Sequence, residues 1–160
     1  MTGPDDHLIA FKKDENGKLV WTQRTNSYET VTRYYNHDSA AGIVYTVDVS
    51  KPAGERIMIK SMADGTPFDM QKQYKVALNS YRGTGGGGHL TKGAGIPNKE
   101  LTNRMLSSTI KDLRYFLMKW IEQQQVVTPE ALGNWNVVPA EWWEKAKATD
   151  YKFLYEPQAP

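Results

Sequence analysis

The residues best suited to chemistry lie together between Asn79 and Gly88, where Asn79-Ser80-Tyr81-Arg82 runs into Gly83-Thr84-Gly85-Gly86-Gly87-Gly88. Five of those last six residues are glycine, so the tract can do what side chains forbid. Without Cβ a backbone adopts positive φ and comes close to a flat ligand or to another segment of chain. A tyrosine beside such a loop is suited to stack on a nucleobase, a contact worth about 1–3 kcal/mol. Arg82, at the loop entrance, offers a guanidinium that suits ribose or phosphate oxygens. Plainer roles stand beside each of these. The glycines also suit a flexible surface connection, Tyr81 a half-buried strand aromatic, and Arg82 a solvated charge.

Other chemistries fail on spacing. Gly83, Gly85 and Gly88 spell G-x-G-x-x-G, but the dinucleotide fingerprint needs a helix opening at the third glycine inside a βαβ unit. Here His89 to Pro97 intervene and no βαβ alternation surrounds them. A P-loop would need Gly-Lys-Ser or Gly-Lys-Thr, which does not follow. Dimetal phosphoesterases gather Asp, His and Asn ligands in paired motifs. The three histidines, His7, His37 and His89, lie far apart, and Asp5-Asp6-His7 has no second cluster to support it. No G-x-S-x-G elbow is present; a Ser/His/Asp triad is defined by geometry and stays open. No catalytic residue and no metal ligand is assigned, and the chain alone is expected to hydrolyse nothing.

The elements that must position the tract are legible in part. Leu8 to Phe11 and Lys18 to Thr22 flank Asn16-Gly17, a hairpin signal. The tyrosine-rich stretch from Thr25 to Asp38 gives no clear periodicity. From Gly42 to Val49 the chain alternates, with Ile43, Tyr45, Val47 and Val49 on one side, which predicts a strand with one buried face. Pro52-Ala53-Gly54 turns the chain into an antiparallel partner, Arg56 to Ser61, and Asp64-Gly65 with Pro67 marks the next turn. Gln73 to Tyr81 reads as a strand that ends in the glycines, and Asn98 to Leu106 as a helix behind Pro97. The clearest helix is Ile110 to Gln124, whose Leu113, Phe116, Leu117, Trp120 and Ile121 form one apolar stripe. Thr109 is its expected cap with Asp112 as box partner, and Trp120 is expected in the core. Pro129 and Gly133 fall in a loop, and Pro139 opens a short last helix through Lys147. Trp142 and Trp143 are expected to cover a core edge rather than to bind a ligand.

At 160 residues, 39% hydrophobic and 24% charged, the chain suits one folded domain over 1–160. A net charge of +2, spread among acidic residues, gives no concentrated basic face for duplex nucleic acid. Cysteine is absent, which removes disulfides and thiolate metal sites. No apolar run approaches the roughly 20 residues that span a bilayer, so no membrane partner is expected. Met1 to Asp6 is polar and unlike a signal peptide.

Tyr74-Lys75-Val76-Ala77-Leu78-Asn79-Ser80-Tyr81-Arg82-Gly83-Thr84-Gly85-Gly86-Gly87 resembles the hallmark Y-x-V-A-x-N-x-(Y/F)-x-A-x-G-G. That hallmark belongs to the C-terminal domain of 5′-nucleotidases and of 2′,3′-cyclic-nucleotide 2′-phosphodiesterase/3′-nucleotidases. The segments Ala41 to Asp48 and Lys51 to Arg56 resemble the paired strands before it, and Asp112 to Leu117 the family's helix entry. The resemblance implies an α+β fold with a mixed or antiparallel sheet and outer helices, part of a four-layer α/β/β/α arrangement. It also implies that a separate N-terminal metallophosphatase domain, carrying a divalent metal pair, hydrolyses the ester while this chain clamps the base of a nucleoside or nucleotide between two aromatics. Tyr81 is then one aromatic; the other comes from the loop before Gly42, with Tyr35 and His37 as candidates. Asn79, Arg82, Gly83, Gly85, Gly86 and Gly87 complete the expected site. Location in the periplasm or at the cell surface is implied as well.

The chain departs from the family pattern in two respects. Many 5′-nucleotidases carry an aspartate where this chain has Gly87, which leans the resemblance toward the cyclic-phosphodiesterase branch. The opening glycine/asparagine/arginine segment of the family's domain is not seen, so the chain is expected to start partway through that domain. An exposed sheet edge or apolar patch, and with it self-association, is expected in consequence. A stand-alone module for a small ligand or single-stranded nucleic acid is the competing function, and a self-contained enzyme the third. Competition between mononucleoside and oligonucleotide, salt dependence, and chelator-sensitive turnover separate them.

Overall fold

The computed structural model describes residues 9–32 and 36–156. Leu8, from the first predicted strand, and the Asp5-Asp6-His7 string lie outside these residues. The chain divides into two compact units, one running through Met70 and resuming at Leu132, the other Gln71–Ala131. The architecture is α+β, with one antiparallel two-stranded sheet and one mixed three-stranded sheet among the described residues.

The first unit opens with the expected hairpin. Asp14 Oδ1 accepts from the amides of Asn16 at 2.9 Å and Lys18 at 2.8 Å. Gly17 takes φ +80°, and Lys13 bridges Leu19 in antiparallel fashion. A second ribbon follows that periodicity did not reveal: β1 (Trp21–Thr22) pairs with β2 (Ser27–Tyr28), turning through Asn26 at φ 48°. Asparagine tolerates that left-handed region better than most residues. The long strand is β3 (Ile43–Asp48), and β4 (Ile57–Met62) runs antiparallel to it, as the sequence predicts.

On the other side of β3 lies β5 (Trp135–Val138), parallel, in a segment to which the sequence assigns no element. With β3 central in the order β4-β3-β5, both of its edges are hydrogen-bonded. Thr46 is nonetheless buried beside Tyr45, its hydroxyl donating to Asn136 Oδ1 at 3.2 Å, which corrects the expectation of a single buried face. A register shift between Val44 and Tyr45 further breaks the simple alternation.

The last helix, α4 (Ala140–Tyr155), is twice the expected length. Pro139 precedes it and Glu141 lies in its first turn, where a carboxylate favours the helix dipole. Its inner face carries Trp143, Ala146, Asp150 and Phe153, about one helical turn apart or a multiple of it. Phe153 meets Phe11 at 5.5 Å and Tyr28 at 5.3 Å between ring centroids, and Trp143 meets Trp135 edge-on at 6.5 Å. Trp143 thus covers a core edge, as expected. Asp150, 3% exposed, accepts the Ile9 amide at 3.0 Å and ties the start of the described chain to the helix.

The second unit holds no strand among its described residues. Gln73 to Asn79 is irregular, with Val76 and Leu78 exposed, and α1 (Ser80–Gly83) begins where the strand was expected to end. The alternation of Tyr74, Val76 and Leu78 suits a strand, but a strand needs a ladder partner, and no strand pairing among the described residues involves this segment. Helix α2 (Asn98–Arg104) follows Pro97 as predicted. Helix α3 (Leu113–Gln124) starts three residues later than predicted, because Asp112 is its cap, accepting the Tyr115 amide at 2.9 Å. Thr109 instead donates to the Lys111 carbonyl at 2.8 Å. The α3 stripe is present but uncovered: Trp120, expected in the core, is 47% exposed. No helix among the described residues is long and apolar enough to cross a membrane.

Candidate functional site

Asn79 organises the site from its first residue. As the cap of α1 it accepts the Arg82 amide on Oδ1 at 2.8 Å, while its carbonyl accepts the Gly83 amide at 2.9 Å. Asparagine is among the best residues for this role, since its short side chain reaches an otherwise orphaned amide. Thr84 closes the turn, its hydroxyl donating to the carbonyls of Ser80 at 2.9 Å and Tyr81 at 3.2 Å. The chain then reverses through Gly85 at φ +94°, whose amide donates to the Arg82 carbonyl at 3.0 Å.

The glycines wrap the chain's own side chains. A methyl group on Gly86 would overlap the Tyr81 ring and the Tyr81 carbonyl, and one on Gly87 would overlap Arg82 Nη1. On Gly85 it would press on Asn98 Oδ1 at 3.1 Å and Leu101 Cδ1 at 3.2 Å, from α2. Gly83 has open space around it. The tract is therefore a close-packed spool rather than a loose connection.

Arg82, read from sequence as either a ligand contact or a solvated charge, is only 6% exposed. Its Nη1 donates to the Gly86 carbonyl at 3.3 Å, and its guanidinium carbon lies 5.2 Å from the Tyr81 ring centroid, within cation–π range. Tyr81 itself is 55% exposed. What results is an aromatic surface open to solvent and backed by a packed turn.

One ground for setting aside the dinucleotide fold needs correcting. A single π-helical turn, His89–Gly93, does open at Gly88. The other ground stands, because what precedes the glycines is a short helix and not a strand.

Asn79, Tyr81, Arg82, Gly83, Gly85, Gly86 and Gly87 thus come together. His37 belongs to the other compact unit. There it is exposed on the loop before β3, its ring 6.0 Å from Trp135 and tilted by 40°. Tyr35 lies outside the described residues. Trp135, not singled out from sequence, stacks on Tyr45 at 6.0 Å with an 11° interplanar angle. The loop beside it is held by Asn134, whose Nδ2 donates to the carbonyls of Ala40 at 2.7 Å and Ile43 at 2.8 Å. The signal available in sequence was Trp135-Asn136-Val137-Val138, a short β-prone run after Gly133. Among the described residues no three His, Cys, Asp or Glu side chains gather as metal ligands would.

The family model described as "5′-nucleotidase, C-terminal domain" matches residues 13–92, half of the chain and the whole of this spool. The chain belongs to that family. Among relatives of this 5′-nucleotidase C-terminal domain family, a trifunctional nucleotide phosphoesterase of Bacillus subtilis is 33% identical over 120 residues, covering 67% of this chain and 8% of its own length. A 2′,3′-cyclic-nucleotide 2′-phosphodiesterase/3′-nucleotidase of Salmonella typhimurium is 30% identical over 122 residues, 67% of this chain and 18% of its own. The protein of the same name from Yersinia enterocolitica is 28% identical over 116 residues, 66% and 17% respectively. The chain spans less than a fifth of each of these relatives. No solved structure gives a significant match.

Proposed function

We propose that this chain is the nucleotide-recognition part of a nucleotide phosphoesterase, and that the Tyr81 ring is its stacking platform for the base. The observation that carries this reading is the Tyr81 ring itself, exposed within the residues that match the family while the glycines Gly85 to Gly87 beside it are packed. A planar ring on a preformed support binds a base without first ordering a loop, which lowers the entropic cost of association. In this reading hydrolysis, with its divalent metal pair, takes place in a separate domain, and the whole protein works in the periplasm or at the cell surface. The chain alone then binds nucleosides weakly and turns nothing over.

Calorimetric titration with adenosine, alone and against a short single-stranded oligonucleotide at two salt concentrations, tests this reading. Saturable adenosine binding that the oligonucleotide does not displace and that salt barely alters is expected. Preferential oligonucleotide binding with steep salt dependence would instead mark a single-strand-binding module. Chelator-sensitive hydrolysis of a phosphate ester by the chain alone would overturn the reading altogether.

A further inference from the structure

Arg82 combines three features that a surface arginine lacks: near-complete burial, a hydrogen bond to the backbone of the glycine turn, and a place over the Tyr81 ring. The backbone is shaped around it as well, since Gly87, at φ +74°, leaves room for Nη1 that any side chain would fill. From this geometry we infer that Arg82 is a positioning residue for the Tyr81 ring. It fixes the ring against the turn and acts on a bound base only through it. The inference rests on Tyr81 as the base platform, but its structural half, the locked ring, stands apart from any ligand.

The guanidinium is suited to this task and an ammonium is not. It is planar, so it lies over the ring while a nitrogen at its edge reaches the Gly86 carbonyl. Lysine keeps the charge but presents a point, which cannot do both at once. Gly86 approaches the ring as well, so Arg82 and Gly86 both restrain it. Direct recognition of phosphate by Arg82 would leave a different signature. A phosphate contact strengthens nucleotide over nucleoside binding and survives in part as lysine, whereas ring placement affects both ligands alike.

The test is the affinity of the full chain and of Arg82→Lys for adenosine and for AMP. The ring contact is followed in the same samples by the nuclear Overhauser effect between the Tyr81 ring protons and the Gly86 α-protons. Arg82→Lys is expected to weaken both ligands by the same factor, roughly fivefold to tenfold given the size of cation–π and stacking energies, and to diminish the Tyr81–Gly86 effect without ligand. A loss confined to AMP would overturn the inference in favour of a phosphate contact. An unchanged Overhauser effect in Arg82→Lys would overturn it too. Should the variant fail to fold, the unliganded wild-type spectrum still decides, since absence of the Tyr81–Gly86 effect there contradicts a locked ring. If wild-type chain binds neither ligand yet loses the ring contact on Arg82→Lys, positioning holds and base recognition fails.

Discussion

At the scale of single residues, the glycine tract separates into positions with different demands. Gly83 has free space and ordinary φ, so Gly83→Ala is expected to leave adenosine affinity within about twofold and stability within about 0.5 kcal/mol. Gly86 also has no left-handed φ, yet its α-carbon lies against the Tyr81 ring. Gly86→Ala is expected to displace the ring and weaken adenosine roughly fivefold or more, at least the lower end of what stacking supplies. Equal affinities for the two variants, measured by calorimetry, would contradict a packed spool. The sequence showed five glycines as one composition, because nothing local tells a glycine needed for φ from one needed for closeness. It likewise suggested a solvated Arg82, since burial of an arginine depends on a carbonyl and a ring brought to it by the turn. Glu29 gives a residue-scale pH prediction. The Lys12 ammonium, 2.6 Å away and hydrogen-bonded to it, holds its carboxyl below the ordinary 4.5. A carboxylate whose folded pKa is depressed stabilises the fold above its unfolded pKa, and that stability is lost as pH falls through the folded value. Glu29→Gln should therefore flatten the fall of melting temperature below about pH 5, slightly, because the pair is exposed and screened; an unchanged acid limb would refute the pairing.

At the scale of elements, helix α3 separates what periodicity reveals from what capping geometry decides. Its stripe was legible because five apolar residues recur at helical spacing. Its start was placed one turn early, since Thr109 and Asp112 both suit a cap and only backbone geometry chooses between them. Asp112→Ala is expected to cost about 1 kcal/mol of helix stability, and Thr109→Ala a few tenths at most. Hydrogen exchange of the Tyr115 amide checks this, and equal protection in both variants would contradict the assignment of the cap. The hairpin of β3 and β4 was legible because its two halves are joined by a short turn. Strand β5 was not, because its four residues gain strand character from pairing with β3, as in Thr46 with Asn136, ninety positions away. The reverse error occurred at Gln73 to Tyr81. There alternation promised a strand, while Asn79 started a helix through its own side chain.

At the scale of the whole molecule, the family match runs from residue 13 to 92 and so takes in parts of both compact units. The chain matches relatives more than five times its aligned length. Leu113, Leu117 and Trp120 on α3, with Val76 and Leu78 in the irregular segment before α1, leave apolar side chains open to water. Exposed apolar surface of this kind favours association, so light scattering should show mass rising with concentration, and Leu117→Glu should reduce it while leaving helical content unchanged. A clean monomer at high concentration would contradict that expectation. Tyr81 as a base platform is tested most directly by the dissociation constant for adenosine in wild type, Tyr81→Phe and Tyr81→Ala. A stacking platform predicts that Tyr81→Phe stays within about threefold of wild type while Tyr81→Ala weakens by roughly 5- to 150-fold, the equivalent of about 1–3 kcal/mol. Undiminished binding in Tyr81→Ala, or no binding in the wild-type chain, would contradict it.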